Sequence, residues 1–216
     1  AKKIGRTGKE LTAKQLADYQ LSRLKTVISR AYEHSSFYRR HLQDWINHPL
    51  TSLADFERFP FTTPQDLQAA GIKMVCVNQG EISRVVTLES SGTTGEPKRL
   101  YFTRPDQELT VDFFTQSMSM LIRPGEQVYI LLPAQRPGGV GDLLFRALTR
   151  LAAKPVKQGL VVNLPEMLAS LINQPVSCLV GIPVQVLALA KYYERQGEAR
   201  KLALNRVLLC TDYVSQ

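Results

Sequence analysis

Disulfide chemistry has little to work with in this chain, whose 216 residues include only Cys76, Cys178 and Cys210. An odd count, wide spacing and the lack of any C-x-x-C pair exclude a disulfide framework and the common zinc modules. The three read as reduced thiols in the core of a cytosolic protein. Long apolar runs are missing too, all falling well short of the ~20 residues that a spanning helix needs. No charged and then apolar leader with a cleavage site opens the chain. A cytoplasmic protein with no membrane partner is the expectation. Histidine is as scarce as cysteine, with His34, His41 and His48 standing seven residues apart. On one continuous helix that spacing would make a row of ligands. Pro49 and a break expected at Ser35-Ser36 interrupt such a helix, so capping and surface roles are preferred and no metal site is assigned.

Positive charge, by contrast, is plentiful. The formal net charge is +8, and residues 1–40 hold ten Lys/Arg against three Asp/Glu, an excess of +7. Such a cluster attracts polyanions such as ATP, CoA or nucleic acid. It lacks the interleaved aromatics on which bases stack, so nucleic acid is not the expected partner. Leu21, Leu24, Ile28 and Ala31, with Val27, recur at helical spacing and leave Arg23, Lys25 and Arg30 mostly on the outside. The basic stretch therefore reads as a solvated helix face behind a flexible leader over residues 1–10. A non-catalytic basic module binding RNA or a partner stays as an alternative that the charge alone supports.

With 44% apolar residues there is ample material for a core, in one domain or two joined lobes. Helices are expected over residues 13–32 and 37–45. A third is capped by Thr63, opened by Pro64 and ended by Gly71. From residue 84 the pattern changes to strands at 84–88 and 100–103, then a helix at 106–121. A strand at 128–132, a helix at 142–153 and a weaker strand at 160–162 come next. A helix from Pro165 to 173, a strand at 177–180, a helix at 184–195 and a strand at 206–210 complete the alternation. The expected class is α/β: N-terminal helices over 11–83, then over 84–216 a largely parallel sheet covered by helices on both faces. Met118, Met120, Tyr192 and Tyr193 read as packing residues.

Between the strands at 84–88 and 100–103 lies the string Ser90-Ser91-Gly92-Thr93-Thr94-Gly95-Glu96-Pro97-Lys98. Two glycines let the backbone turn and approach a ligand, and successive backbone N–H groups form an anion-binding nest. Four hydroxyls and an ammonium add donors. That inventory suits a polyphosphate. It is not the G-x-x-x-x-G-K-[ST] pattern, since the glycine spacing differs and no helix-opening G-K-S/T follows. Ser90 and Ser91 have no base beside them in any nucleophile motif, and they read as phosphate donors.

The ordered string resembles the phosphate loop of the AMP-forming (adenylate-forming) ligases. Two upstream segments, Tyr32-Glu33-His34-Ser35-Ser36-Phe37-Tyr38-Arg39-Arg40 and Leu53-Ala54-Asp55-Phe56-Glu57-Arg58-Phe59-Pro60-Phe61-Thr62-Thr63, are similar to the phenylacetate-CoA ligase-like branch. So are Pro137-Gly138-Gly139-Val140-Gly141 and Gly181-Ile182-Pro183 downstream. The resemblance implies that Ser90, Ser91, Gly92, Thr93, Thr94, Gly95 and Lys98 bind the phosphates of ATP. It implies an adenine-side turn at Thr211, Asp212 and Tyr213, and an acyl pocket drawing on Gln135, Gly138, Gly139, Gly141, Gly181 and Pro183.

The implied reaction activates a carboxylate as an acyl adenylate with Mg-ATP and passes it to CoA. By the same resemblance the chain is an N-terminal part. It stops before a Y-G-x-T-E-like motif, the ribose aspartate and a mobile C-terminal domain with its catalytic lysine. The AMP-binding region is then truncated, no residue present is assigned as catalytic, and the chain alone is expected to be inactive. A relative that adenylylates a hydroxyl is the alternative, and a homo-oligomer is compatible with either.

Overall fold

In the computed structural model the described residues are 11–88, 97–197 and 202–210. The leader expected over residues 1–10 lies outside them. Residues 1–103 and 104–216 form two compact units.

In the first unit, α1 runs Ala13–His34 and α2 Ser36–His41. Thr12 opens α1 with a reciprocal box, its hydroxyl accepting from Gln15 N at 3.2 Å while Gln15 Oε1 accepts from Thr12 N at 3.1 Å. Ser35 makes the break between the two helices. Fully buried, it accepts from Tyr38 N at 3.1 Å as the cap of α2 and donates to the Lys73 carbonyl at 2.7 Å. One hydroxyl thus ends the helical row of histidines and ties the helix pair to the turn after α3 (Pro64–Ala70). Thr63 and Asp66 form the same kind of box at the start of α3. Gly71 ends it with φ +40°, where an L side chain would be strained. An antiparallel hairpin follows, β1 (Ile82–Leu88) against β2 (Lys98–Thr103), rich in the β-branched and aromatic residues that favour strands.

The second unit is a four-stranded sheet with every pairing parallel. Its strands are β3 (Gln127–Leu131), β4 (Lys154–Lys157), β5 (Val176–Gly181) and β6 (Arg206–Leu209), in the order β4-β3-β5-β6. Helices α4 (Arg104–Met118), α5 (Val140–Arg150), α6 (Leu164–Asn173) and α7 (Pro183–Arg195) alternate with them. Alternate residues of β3, with Leu132 just after it, feed two separate cores. Val128, Ile130 and Leu132 pack with Met118, Leu144 and Leu148 of α4 and α5. Tyr129 and Leu131 pack with Met167, Leu168 and Leu171 of α6 and Leu189 of α7. The parallel sheet is covered on both faces. Met118 belongs to the core and Tyr192 and Tyr193 pack against it, whereas Met120 is exposed.

One strand sits elsewhere than its expected place. The strand that follows α5 is Lys154–Lys157, not 160–162. Register explains the shift: Gln158 N and Gly159 N both donate to the Ile130 carbonyl and close the ladder, and Gly159 then turns away at φ +75°. Pro155 is tolerated because β4 is an edge strand whose outer side needs no donor.

Charged pairs lie outside these cores. Arg146 and Arg150 of α5 pair with Glu108 and Asp112 of α4, all between 40% and 46% exposed. Leu148 between them is fully buried. Removing buried methylenes costs far more than weakening exposed ion pairs. Leu148→Ala should lower the unfolding free energy by about 2–5 kcal/mol. Glu108→Gln should lower it by less than about 1 kcal/mol. Urea unfolding of both variants checks the ordering.

Candidate functional site

The residues expected to bind phosphate are joined to the β1–β2 hairpin. Its last pair is Leu88 opposite Lys98, so half-buried Lys98 opens β2 at the end where the glycine-hydroxyl string enters. Ser90, Ser91, Gly92, Thr93, Thr94 and Gly95 lie outside the described residues. Beside Pro97, an open cleft of about 720 Å³ is walled by α3 and its following turn and by Arg99 and Tyr101.

The residues expected around an acyl group gather at the carboxyl ends of the second unit's strands. Chain direction makes this edge special. β3 leaves toward its neighbour β4 through α5, which packs on one face. β5 leaves toward β6 on its other side through α7, which packs on the opposite face. Two adjacent parallel strands whose exits diverge leave a crevice at their carboxyl ends, where ligands of open α/β sheets bind.

Both walls of that crevice are glycine-built. On the β5 side Gly181 pairs with Leu131, and an added β-carbon there would stand 3.2 Å from the Leu131 Cβ. Pro183 follows at the first turn of α7, where its missing N–H costs nothing. On the β3 side the chain turns through Gln135, Gly138 and Gly139 into α5. Gly138 has φ +71°, and a β-carbon on it would meet Gln107 Nε2 at 2.4 Å. Gly139 caps α5. Gly141 is buried with its N–H donated to the Pro133 carbonyl at 3.2 Å, and a β-carbon would lie 2.8 Å from that oxygen. Gln135 reaches toward Gly159 beyond β4, where a β-carbon would come within 2.8 Å of Gln135 Nε2.

Two further residues hold this turn, and the sequence reading did not single them out. Asp142, in the first turn of α5, accepts from Gly138 N at 2.8 Å through Oδ2 and from Lys157 Nζ at 2.6 Å through Oδ1. Lys157, the last residue of β4, also lies 4.5 Å over the Phe145 ring. Burial pushes the Asp142 carboxyl up. The Lys157 ammonium and the Gly138 N–H pull it down further, so it titrates below the ordinary carboxylate range. An aspartate three residues into a helix that follows two glycines was the available signal.

Gln135, Gly138, Gly139, Gly141, Gly181 and Pro183 thus all belong to one edge. Thr211, Asp212 and Tyr213 lie outside the described residues, two positions and more beyond the end of β6 at Leu209. Cys178 is buried in the sheet core, and burial raises its thiol as it does those of Cys76 and Cys210. Among the described residues no three His, Cys, Asp or Glu side chains come together as a metal site, and no helix is long and apolar enough to cross a membrane.

No family model matches the chain. Curated relatives do. A phenylacetate-coenzyme A ligase of Pseudomonas putida is 33% identical over 119 residues, 53% of this chain and 27% of that protein. One from Aromatoleum evansii is 35% identical over 120 residues, 54% of this chain and again 27% of that protein. The match therefore spans about a quarter of each relative's length. Among solved structures, 2-hydroxyisobutyryl-CoA ligase in complex with 2-HIB-AMP and CoA superposes with a TM-score of 0.73 at 29% identity, covering 86% of this chain and 41% of that one. The chain is similar to the N-terminal portion of adenylate-forming CoA ligases of the phenylacetate-CoA ligase-like branch.

Two outcomes test the glycine wall. Gly141→Ala pushes a methyl against backbone that cannot move aside, and should cost about 1–3 kcal/mol of stability. Asp142 has its carboxyl depressed in the folded state, so its charge stabilises above the unfolded value of about 4 and that contribution is lost as pH falls through the folded value. The stability gap between the parent and Asp142→Asn should stay flat from about pH 8 to 5 and shrink below about 4. Denaturant midpoints across that range check it.

Proposed function

We propose that this chain, which resembles the phenylacetate-CoA ligase-like branch of the AMP-forming ligases, is the N-terminal, phosphate-gripping part of an acid–CoA ligase. The observation that carries the reading is the 0.73 superposition, at 29% identity over 86% of the chain, on a ligase held with its acyl adenylate and CoA. The glycine-hydroxyl string that stands between β1 and β2 in the sequence supports it as well.

In the first step a substrate carboxylate oxygen attacks the α-phosphorus of ATP. A new P–O bond forms, the bond to the β-phosphate oxygen breaks, and pyrophosphate leaves with the electron pair. Charge moves onto the leaving group, so donors aimed at its oxygens stabilise the transition state more than bound ATP. Thr93 and Thr94 supply hydroxyls for this, and Gly92 and Gly95 supply amides. Lys98, fixed at the start of β2, adds a positive charge. Ser90 and Ser91 are further donors. Magnesium would come with the triphosphate, since Mg²⁺ prefers phosphate oxygens with a few carboxylates and the described residues offer no cluster of their own. Adenine would lie against Thr211, Asp212 and Tyr213.

The acid would sit in the crevice between the exits of β3 and β5, against Gln135, Gly138, Gly139 and Gly141 on one side and Gly181 and Pro183 on the other. In the second step the CoA thiolate attacks the acyl carbon and expels AMP. The matched region is about a quarter of the curated relatives' length.

Pyrophosphate release from ATP by the full-length protein that carries this chain, across a panel of aryl, fatty and hydroxy acids, tests the reading. Acid-dependent release is expected, followed by CoA-dependent AMP release. Release driven by a hydroxyl compound instead of an acid would overturn it. Within an active protein, Thr94→Ala should slow single-turnover adenylate formation by about 10²-fold with a smaller effect on ATP binding. Lys98→Ala, losing a point charge, should act less and fade with salt.

A further inference from the structure

Asp142 does more than cap a helix. A carboxylate at the third position of a helix commonly satisfies an N–H just outside it, and its Oδ2 does so for Gly138. Its other oxygen is taken by a different element, Lys157 at the end of β4. The glycine turn after β3 and the end of the edge strand are therefore joined through one side chain only 17% exposed. Lys157 is held in its turn by the Phe145 face below it. Next to this bridge the Gln107 side chain lies over Gly138 of the same turn, and the Gln135 side chain of that turn lies over Gly159 beyond β4. Both glycines have positive φ, a conformation that an L side chain would adopt only under strain.

We propose that Asp142 and Lys157 are positioning residues, a polar latch that fixes the glycine turn lining the β3 side of the crevice and so sets how tightly the carboxylic acid is held. This rests on the ligase reading above for the identity of the ligand. Neither side chain need touch the acid. Losing the latch frees Gly138 to turn, which weakens the fit of the acid more than that of ATP.

The full-length protein with Asp142→Ala, Asp142→Asn and Lys157→Met tests this through two measurements. The first is the KM for the acid against the KM for ATP. Asp142→Ala should raise the acid KM by about 10-fold or more while the ATP KM stays within about two-fold. Asp142→Asn keeps an acceptor for Gly138 and should fall between Asp142→Ala and the parent, as should Lys157→Met. An acid KM unchanged in Asp142→Ala, or an ATP KM rising in step with it, overturns the positioning role. If Asp142→Ala shows no cooperative unfolding, the milder Lys157→Met decides on the same pair of constants.

The second measurement is hydrogen exchange at the Gly138 amide, which needs no turnover. It should quicken in Asp142→Ala, and unchanged exchange overturns the latch whether or not the reaction is as proposed. A parent with no acid-dependent pyrophosphate release sinks the ligase reading. Faster exchange in that case would leave Asp142 a helix cap and overturn its positioning role.

Discussion

Val128 to Leu131 of β3 are buried without exception, yet neighbouring residues on an extended strand point to opposite sides. The strand can satisfy this only between two apolar layers, and the rest of the second unit follows from that demand. One layer is built from α4 and α5, the other from α6 and α7. A strand inside the sheet cannot hand its chain to both layers at once. β3 leads into α5 and β5 into α7, the two exits diverge, and a crevice opens where they part. The crevice is a by-product of burying β3 and β5 on both faces.

Burial also decides where glycine is needed. At the exit of β3 the chain must turn within a few residues and start a helix that lies flat on the sheet. Gly141 lets α5 begin with its N–H 3.2 Å from the Pro133 carbonyl, where an added β-carbon would stand only 2.8 Å from that oxygen. Gly138 supplies the left-handed turn ahead of it. The same glycines that pack the helix closely add no side chain at the exit of β3. Packing makes this demand on these positions, and a ligand in the proposed crevice would make the same one.

Elements with strong local chemistry were legible in the sequence. Thr63 and Pro64 announced the start of α3 and Gly71 its end, and the buried runs at β3 and β5 stood where apolar strands were expected. The parallel sheet with helices on both faces followed from their alternation. The strand at Lys154–Lys157 was not legible, because two lysines and a proline hide a strand whose pairing is supplied by Ile130 across the ladder. Its apolar successors, Leu160 to Val162, drew the expectation forward instead. Candidate site residues were readable where they were glycines in a row. Asp142 and Lys157 were not, since their partnership spans 15 residues and exists only once β4 lies beside β3.

The choice of a carboxylate and an ammonium to hold the turn has a physical reason. Burial works against the charge on Asp142, and an isolated carboxylate there would take up a proton or pull away. Lys157 and the Gly138 amide reverse that balance and leave the group more acidic than a free aspartate. The pair is therefore bound in its charged form by net favourable interactions, close to the helix N-terminus, where the α5 dipole also favours an anion. An apolar contact of equal size would fill the space but could not orient a backbone N–H. Directional bonds from two elements to one carboxylate fix both the position and the rotation of the glycine turn, and the precision of a binding wall depends on rotation as much as on distance.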